Sequence, residues 1–127
     1  ENREVKTIVQ LGFGDKNEFP YKNGLLINTS EITQAVDLKK VNAVTVNKIS
    51  DSKKQRKLLK NIFNADVESM EGAAFHFVCL QQSVPFLQLR SIYNKVGERD
   101  KSKWAIMDAI VNLNRELLTL VDTINKQ

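Results

Sequence analysis

Two short segments of this chain carry side chains that could bind a small polar molecule and assist its chemistry. In the first, Met70 and Glu71 stand together at the start of an apolar segment with helical spacing. In the second, the apolar residues 86–92 run into a polar residue, Asn94. Because ligands of open α/β sheets usually bind beyond the carboxyl ends of the strands, both segments point to a site at such an edge.

Glu71 has the chemistry to hold a sugar. Near the first N–H groups of a helix its carboxylate stays ionised, and it would support positive charge that develops on a ribose. The flexible, polarisable thioether of Met70 suits a sugar face. From residue type and spacing alone, a helix-capping acid at Glu71 and an ordinary core residue at Met70 are the simpler interpretation.

Asn94 has the chemistry to recognise a purine base. Its amide donates one hydrogen bond and accepts another, so it matches O6 and N7–H of a 6-oxopurine. An aspartate in the same place would match a 6-aminopurine. The alternative is an ordinary turn asparagine after a strand, which spacing alone favours.

Arg90 lies in an otherwise apolar segment, where a buried guanidinium needs an acidic partner. One interpretation is that Arg90 binds the carboxylate of Glu71 or Glu68 and holds it in position without itself contacting the ligand. The other is a purely structural ion pair.

The elements that must position these residues alternate between strands and helices. β-branched residues predict a strand over residues 41–46, and the side chains of residues 50–52 can cap a helix that follows it. A short strand then ends near Val67.

A second helix is predicted from Glu68 or Ser69 to Gln82, because apolar residues recur there at helical spacing. Ser83 and the proline that follows end it, and residues 86–92 form a further strand.

A short strand at residues 25–28 and a long final helix from Ser102 to Ile124 complete the prediction. Trp104 is expected to anchor that helix to the preceding loop, and His76 to be partly buried and hydrogen-bonded. Strands that alternate with helices predict an α/β layered sheet.

Composition bounds the class of protein. The 127 residues fit one domain, and 42% hydrophobic residues with few prolines and glycines indicate a globular fold. The absence of a long apolar run excludes a membrane span in this sequence, and a single cysteine, Cys79, suits a reduced, cytoplasmic setting. No Cys/His cluster is present to bind a metal.

The net charge of +4 is concentrated in residues 53–60. No aromatic residue in this segment could stack on a nucleic-acid base, so we expect a solvent-facing helix surface.

Several motifs resemble one family. Residues 67–74, Val-Glu-Ser-Met-Glu-Gly-Ala-Ala, resemble the Met-Glu ribose motif of the nucleoside phosphorylase and nucleosidase superfamily. Residues 90–94, Arg-Ser-Ile-Tyr-Asn, resemble its base-site strand, which usually ends in Ser-Asp. The asparagine, the Val-Gly-Glu-Arg-Asp run at residues 96–100 and Trp104 together resemble the futalosine hydrolases of the menaquinone pathway.

The resemblance implies roles for these residues. Met70 and Glu71 would bind ribose, Asn94 would bind the hypoxanthine base, and the segment from Val46 to Ile49 would line the purine pocket through backbone contacts. No cofactor is implied, and the partner is a small-molecule purine nucleoside, without nucleic acid or membrane.

The resemblance also implies a three-layer α/β/α sandwich and a cytoplasmic homodimer. Residues 1–127 are then the C-terminal part of one such domain, and we expect the N-terminal half to lie outside this sequence. Hydrolysis of a 6-oxopurine nucleoside is the predicted reaction. A purine nucleoside phosphorylase, or a non-catalytic nucleoside-binding or interaction fragment, remains open. Tyr93 stands where the family usually has serine, so its ring either alters the site or turns away.

Overall fold

A computed structural model describes residues 5–126 of the chain. Two short strands, three α-helices and two 3-10 turns make up its regular structure. In chain order these are a 3-10 turn at Glu31–Gln34, β1 (Ala43–Thr45), α1 (Lys53–Phe63), β2 (Val67–Ser69), α2 (Gly72–Gln81), a second 3-10 turn at Lys101–Lys103 and α3 (Ile106–Ile124). The predicted α/β alternation is confirmed for this part of the chain, and the three-layer sandwich stays a prediction.

The two strands are parallel neighbours joined through α1. Ala43 lies opposite Val67 and Thr45 lies opposite Ser69. The pairing continues one residue beyond β1, where the Val46 N–H donates to the Ser69 carbonyl at 2.9 Å. A parallel pair requires a crossover connection, and its two carboxyl ends meet at the same edge. The sequence between β1 and α1 therefore begins beside the end of β2.

α1 forms as its capping residues predicted. The Ser52 hydroxyl accepts a hydrogen bond from the Gln55 N–H at 3.2 Å, and the helix ends at Asn64 in the left-handed conformation. Leu59 is buried beneath it, while all five basic side chains of residues 53–60 are exposed. The predicted solvent-facing surface is confirmed.

α2 begins later than predicted. β2 continues through Ser69, whose carbonyl accepts the last ladder hydrogen bond, so the helix starts only at Gly72. Its end is as expected, because the Val84 N–H donates to the Cys79 carbonyl across Ser83 in a left-handed conformation.

The predicted strand at residues 86–92 is wrong. Side chains occupy the backbone of Phe86: its N–H donates to the Ser30 hydroxyl at 3.2 Å, and its carbonyl accepts from the Asn28 amide at 2.8 Å. These two bonds concern Phe86 alone; within residues 5–126 no strand pairs with residues 87–92, and the segment has no regular secondary structure. The strand predicted at residues 25–28 is reduced to one bridge between Leu25 and Lys22.

α3 starts at Ile106 rather than Ser102. The Asp100 carboxylate accepts hydrogen bonds from both the N–H and the hydroxyl of Ser102, which caps the 3-10 turn instead. Ala109 is the one buried residue of α3. Within residues 5–126, no helix is both long and apolar enough to cross a membrane.

Candidate functional site

Two hydroxyls at the ends of the strands hold the start of α2. The Thr45 hydroxyl accepts from the Ala73 N–H at 2.7 Å, and the Ser69 hydroxyl accepts from the Gly72 N–H at 3.2 Å. The two oxygens lie 3.3 Å apart. The first N–H groups of α2 are therefore satisfied by the strands. Sequence reasoning missed this arrangement, although a hydroxyl residue at the end of each of two paired strands was the available signal.

Gly72 allows a close approach at this point. A Cβ atom there would lie 2.8 Å from the Ser69 hydroxyl, 3.0 Å from Nη2 of Arg90 and 3.1 Å from Oε1 of Gln88. Only a glycine fits without a shift of these neighbours. Its contacts place the segment around residues 88–90 directly beside the start of α2.

Met70 and Glu71 lie between β2 and α2 and are both accessible. Glu71 occupies the residue before α2, but its side chain makes no capping hydrogen bond. Met70 is 47% exposed. Glu71 therefore does not cap α2 with its side chain, and Met70 is about half-exposed in the described chain. Both side chains remain available at the carboxyl edge of the strands.

Arg90 does not form the predicted ion pair. Its side chain is exposed, and its Nε donates to Oε1 of Gln88 at 3.0 Å. Among residues 5–126 it makes no salt bridge with Glu68 or Glu71. The prediction assumed a buried strand at this point, and an exposed irregular segment does not require a charged partner for the guanidinium.

Glu68 instead fixes the segment that follows β1. Its Oε1 accepts from the N–H of Ser50 at 2.9 Å, and Ser50 is buried. Its Oε2 is also buried and has no hydrogen-bond partner in the part of the chain that the structure describes. Since Val46 is bonded to Ser69, both ends of residues 46–50 are tied to β2. Ile49 lies between these ties and is 55% exposed.

The loop that contains Asn94 packs against the start of α1. Gly97 has a φ of +88°, and a Cβ atom there would lie 3.3 Å from the carbonyl carbon of Ser52. One Nη of Arg56 donates to the Val96 carbonyl at 3.4 Å. These contacts hold residues 96–97 against the start of α1, which follows residues 46–50 in the chain.

Asn94 lines a shallow, open surface depression of about 370 Å³, and none of the other predicted binding residues, Val46, Ile49, Met70 and Glu71, lines it. Its amide nitrogen makes one long hydrogen bond, 3.4 Å to the Lys95 carbonyl. The Tyr93 ring packs on Trp104 with centroids 5.4 Å apart. The remaining lining residues are Ile92, Glu98 and Lys103.

Trp104 anchors the loop to α3, as the sequence predicted. Its indole N–H donates to the Glu98 carbonyl at 3.2 Å. The next residue, Ala105, donates its N–H to the Tyr93 carbonyl at 2.8 Å. The loop and the first turn of α3 are thereby held as one unit.

Two titratable groups near these segments have lowered pKa values. Burial lowers the pKa of His76, with a further effect of the Arg90 charge, while a backbone hydrogen bond at Leu26 acts in the opposite direction. His76 is partly buried, as predicted. Hydrogen bonds from the hydroxyl and N–H of Ser102 lower the pKa of Asp100.

No cluster of three metal-ligating side chains occurs among residues 5–126.

Comparison with known proteins gives one family. The family model described as the phosphorylase superfamily matches residues 3–124. Futalosine hydrolase of Thermus thermophilus is 33% identical over 114 residues, which cover 87% of this chain and 49% of that protein. Aminodeoxyfutalosine nucleosidase of Campylobacter jejuni is 33% identical over 112 residues, or 82% of this chain and 48% of that protein. The chain thus spans about half the length of these curated relatives. No solved structure gives a significant match.

Proposed function

Because the chain belongs to the phosphorylase superfamily, we propose that it carries the nucleoside-binding part of a purine nucleosidase. One observation supports this most strongly. Residues 46–50 are tied at both ends to β2, and the Asn94 loop packs against the helix that follows them. The Asn94 loop therefore contacts the helix that follows one segment with a proposed role toward the base, and that segment is tied to β2, which Met70 and Glu71 follow.

The reaction is hydrolysis of the N-glycosidic bond between ribose and base. The ribose gains positive charge in the transition state, and the leaving purine gains negative charge. The accessible carboxylate of Glu71 binds the ribose hydroxyls and supports the positive charge, while Met70 contacts the sugar face. Asn94 donates to O6 of the purine and stabilises the leaving group. Val46 and Ile49 line the base, and Glu68 holds their segment in place.

The proposed substrate is a 6-oxopurine nucleoside, with futalosine cleaved to hypoxanthine. Its support is the asparagine at residue 94, whose amide matches O6 and N7–H, and the similarity to a protein named futalosine hydrolase. The second relative is named for aminodeoxyfutalosine, so the preference between an oxo and an amino group is the point to test.

The test measures hypoxanthine released from futalosine and from inosine, with and without phosphate. It uses this chain and the longest polypeptide that its source encodes around it. Release by the longer form without phosphate is expected. Release only with phosphate would identify a phosphorylase, an alternative that the family description favours. Nucleoside binding without release by either form would indicate a non-catalytic binding module, in keeping with a chain that spans half of its relatives.

Replacing Asn94 with aspartate tests the base contact directly. Asn94→Asp should shift the ratio of activities from 6-oxopurine toward 6-aminopurine nucleosides by about tenfold to a hundredfold, since a mismatched polar contact costs about 1–3 kcal/mol. The measurement is kcat/KM for both substrates in the longer form. Asn112→Asp, the same chemical change on the polar side of α3, is the control and should leave the ratio unchanged. An unchanged ratio in Asn94→Asp would remove Asn94 from the role of base reader.

A further inference from the structure

The two acidic residues near the end of β2 have opposite surroundings. Glu71 is exposed and makes no capping hydrogen bond. Glu68 lies in the middle of β2, where its Oε1 accepts from the Ser50 N–H at 2.9 Å and its Oε2 is buried. One carboxylate therefore faces solvent beside the candidate site, and the other is directed into the protein.

Glu68 and Ser69 point to opposite sides of β2, because successive side chains of a strand alternate. The Ser69 hydroxyl lies on the side of α2, where it accepts from the Gly72 N–H. Glu68 is directed away from α2, toward the residues that follow β1. The strand thus holds the start of α2 with one side chain and residues 46–50 with its neighbour.

Ser50 is the junction between residues 46–50 and α1. It is 5% exposed, so water does not readily replace the Glu68 carboxylate as the partner of its N–H. From Asp51 onward the chain is tied to α1 itself, because the Asp51 N–H donates to Oε1 of Gln55 at 2.9 Å. The bond to Glu68 therefore joins β2 to the point where the segment becomes helix.

The start of α1 is also where the Asn94 loop packs. A Cβ atom at Gly97 would lie 3.3 Å from the carbonyl carbon of Ser52, two residues after Ser50. Because closely packed groups transmit small displacements, a shift of Ser50 would disturb this contact together with residues 46–50. Both parts of the chain with proposed roles toward the base thus depend on the position of Ser50.

The unpaired Oε2 indicates which property of Glu68 the structure uses. A buried carboxylate oxygen without a donor is unfavourable, and Oε2 has none in the part of the chain that the structure describes. Oε1 alone makes the contact that holds Ser50. An uncharged acceptor in the same position, such as the carbonyl oxygen of a glutamine, would therefore hold Ser50 equally well.

We propose that Glu68 is a positioning residue for the purine base. It sets the affinity for the base without contacting it, by holding the Ser50 N–H and with it the backbone of residues 46–50. Glu71, three residues along the chain, acts on the ribose instead. The inference rests on the proposed function, because that function assigns the base to residues 46–50 and Asn94. The two carboxylates then affect different halves of the same nucleoside.

The test uses the longer form and measures its affinity for hypoxanthine, the base alone, by calorimetry, and its KM and kcat for futalosine. Glu68→Leu keeps a side chain of similar size and removes the acceptor. It should weaken hypoxanthine binding and raise KM by about tenfold to a hundredfold, since a buried N–H is left without a partner. The value of kcat should change by less than about threefold, because binding lost equally from substrate and transition state raises KM alone.

Three further variants separate the position of the Glu68 acceptor from its charge and from general stability. Glu68→Gln retains a carbonyl acceptor for Ser50 and should stay within about threefold of the wild type in both measurements. Glu71→Gln should impair futalosine cleavage but leave the affinity for hypoxanthine unchanged. Leu59→Ala removes a buried side chain of α1 and lowers stability, yet it should also leave the affinity for hypoxanthine unchanged.

Hydrogen exchange of the Ser50 amide tests the contact without any ligand. In Glu68→Leu this amide should exchange faster than in the wild type by on the order of tenfold, because local opening becomes easier. The Ala73 amide, which the Thr45 hydroxyl holds on the other side of the sheet, is the internal control and should be unchanged.

Several results would overturn the inference. Unchanged Ser50 exchange or unchanged hypoxanthine affinity in Glu68→Leu would remove Glu68 from this role and leave the proposed function in place. Equal weakening of hypoxanthine binding in Leu59→Ala would reduce the effect to stability, and equal weakening in Glu68→Gln would mean that charge matters instead of position. A wild type that binds neither hypoxanthine nor futalosine would refute the proposed function, and this inference with it.

Discussion

The two helices α2 and α3 differ in what holds them. α2 has ten residues, and its first N–H groups bond to hydroxyls at the ends of both strands. The rings of Phe75 and His76 then pack edge-on against the buried Phe86, with centroids 5.5 and 4.8 Å apart. α3 is nearly twice as long, but it buries only Ala109, near its start, where the Ala105 N–H donates to the Tyr93 carbonyl. Length and amphipathic pattern therefore do not decide which helix positions the candidate site; contacts with the strands do.

The largest expected effect is at the ring that attaches α2. Phe86→Ala should lower the free energy of unfolding by about 3–4 kcal/mol, because it removes a buried ring and leaves a cavity beside His76. Denaturant unfolding of the 127-residue chain, to which these exposures apply, is the measurement. Phe13→Ala removes the same ring where it is 69% exposed, and should cost less than about 0.5 kcal/mol. Equal losses in the two variants would show that Phe86 does not hold α2.

A smaller effect is expected where α2 meets the strands. Gly72→Ala should lower the free energy of unfolding by about 1–3 kcal/mol, since the added methyl group would lie 2.8 Å from the Ser69 hydroxyl. The same unfolding measurement applies. Adding Ser69→Ala should recover part of the loss, because it removes the nearest atom. If the loss of stability in the double variant equals the sum of the two single losses, the close contact between residues 69 and 72 is contradicted.

The smallest effect is expected on α3. In the 127-residue chain alone, Leu117→Ala should lower the free energy of unfolding by less than about 1 kcal/mol, because about half of the side chain is exposed there. Thermal unfolding followed by circular dichroism would measure it. A loss as large as that of Phe86→Ala would mean that α3 is already packed in this chain, and the contrast between the helices would disappear.

Much of the local structure was predictable because the signals are local. Ser52 caps α1 with its own hydroxyl, and Trp104 bonds to a residue six positions away. The failures depend on long-range partners. Residues 86–92 have a strand-like sequence, but side chains of Asn28 and Ser30, more than fifty residues earlier, occupy the backbone of Phe86. Arg90 was expected to be buried for the same reason, and the irregular segment leaves it exposed.

For the candidate site, the sequence predicted the residue types, but it missed most of the hydrogen bonds that hold those residues in place. Helical spacing placed Met70 and Glu71 at the start of a helix, although the residue at which α2 begins depends on the pairing of Ser69 with Val46. The hydrogen bond from Ser50 to Glu68 joins residues on different elements, and no local pattern reveals it. Roles of these residues toward a ligand stay predictions until the variants are measured.

The double attachment of residues 46–50 to β2 has a consequence for how this protein can diverge. The two hydrogen bonds that fix the segment use the backbone N–H groups of Val46 and Ser50, so they do not depend on the side chains in between. Ile49 projects into solvent from a backbone whose course is already set. The side chain at residue 49 can therefore vary at little cost to folding, while the course of the backbone through residues 46–50 stays the same.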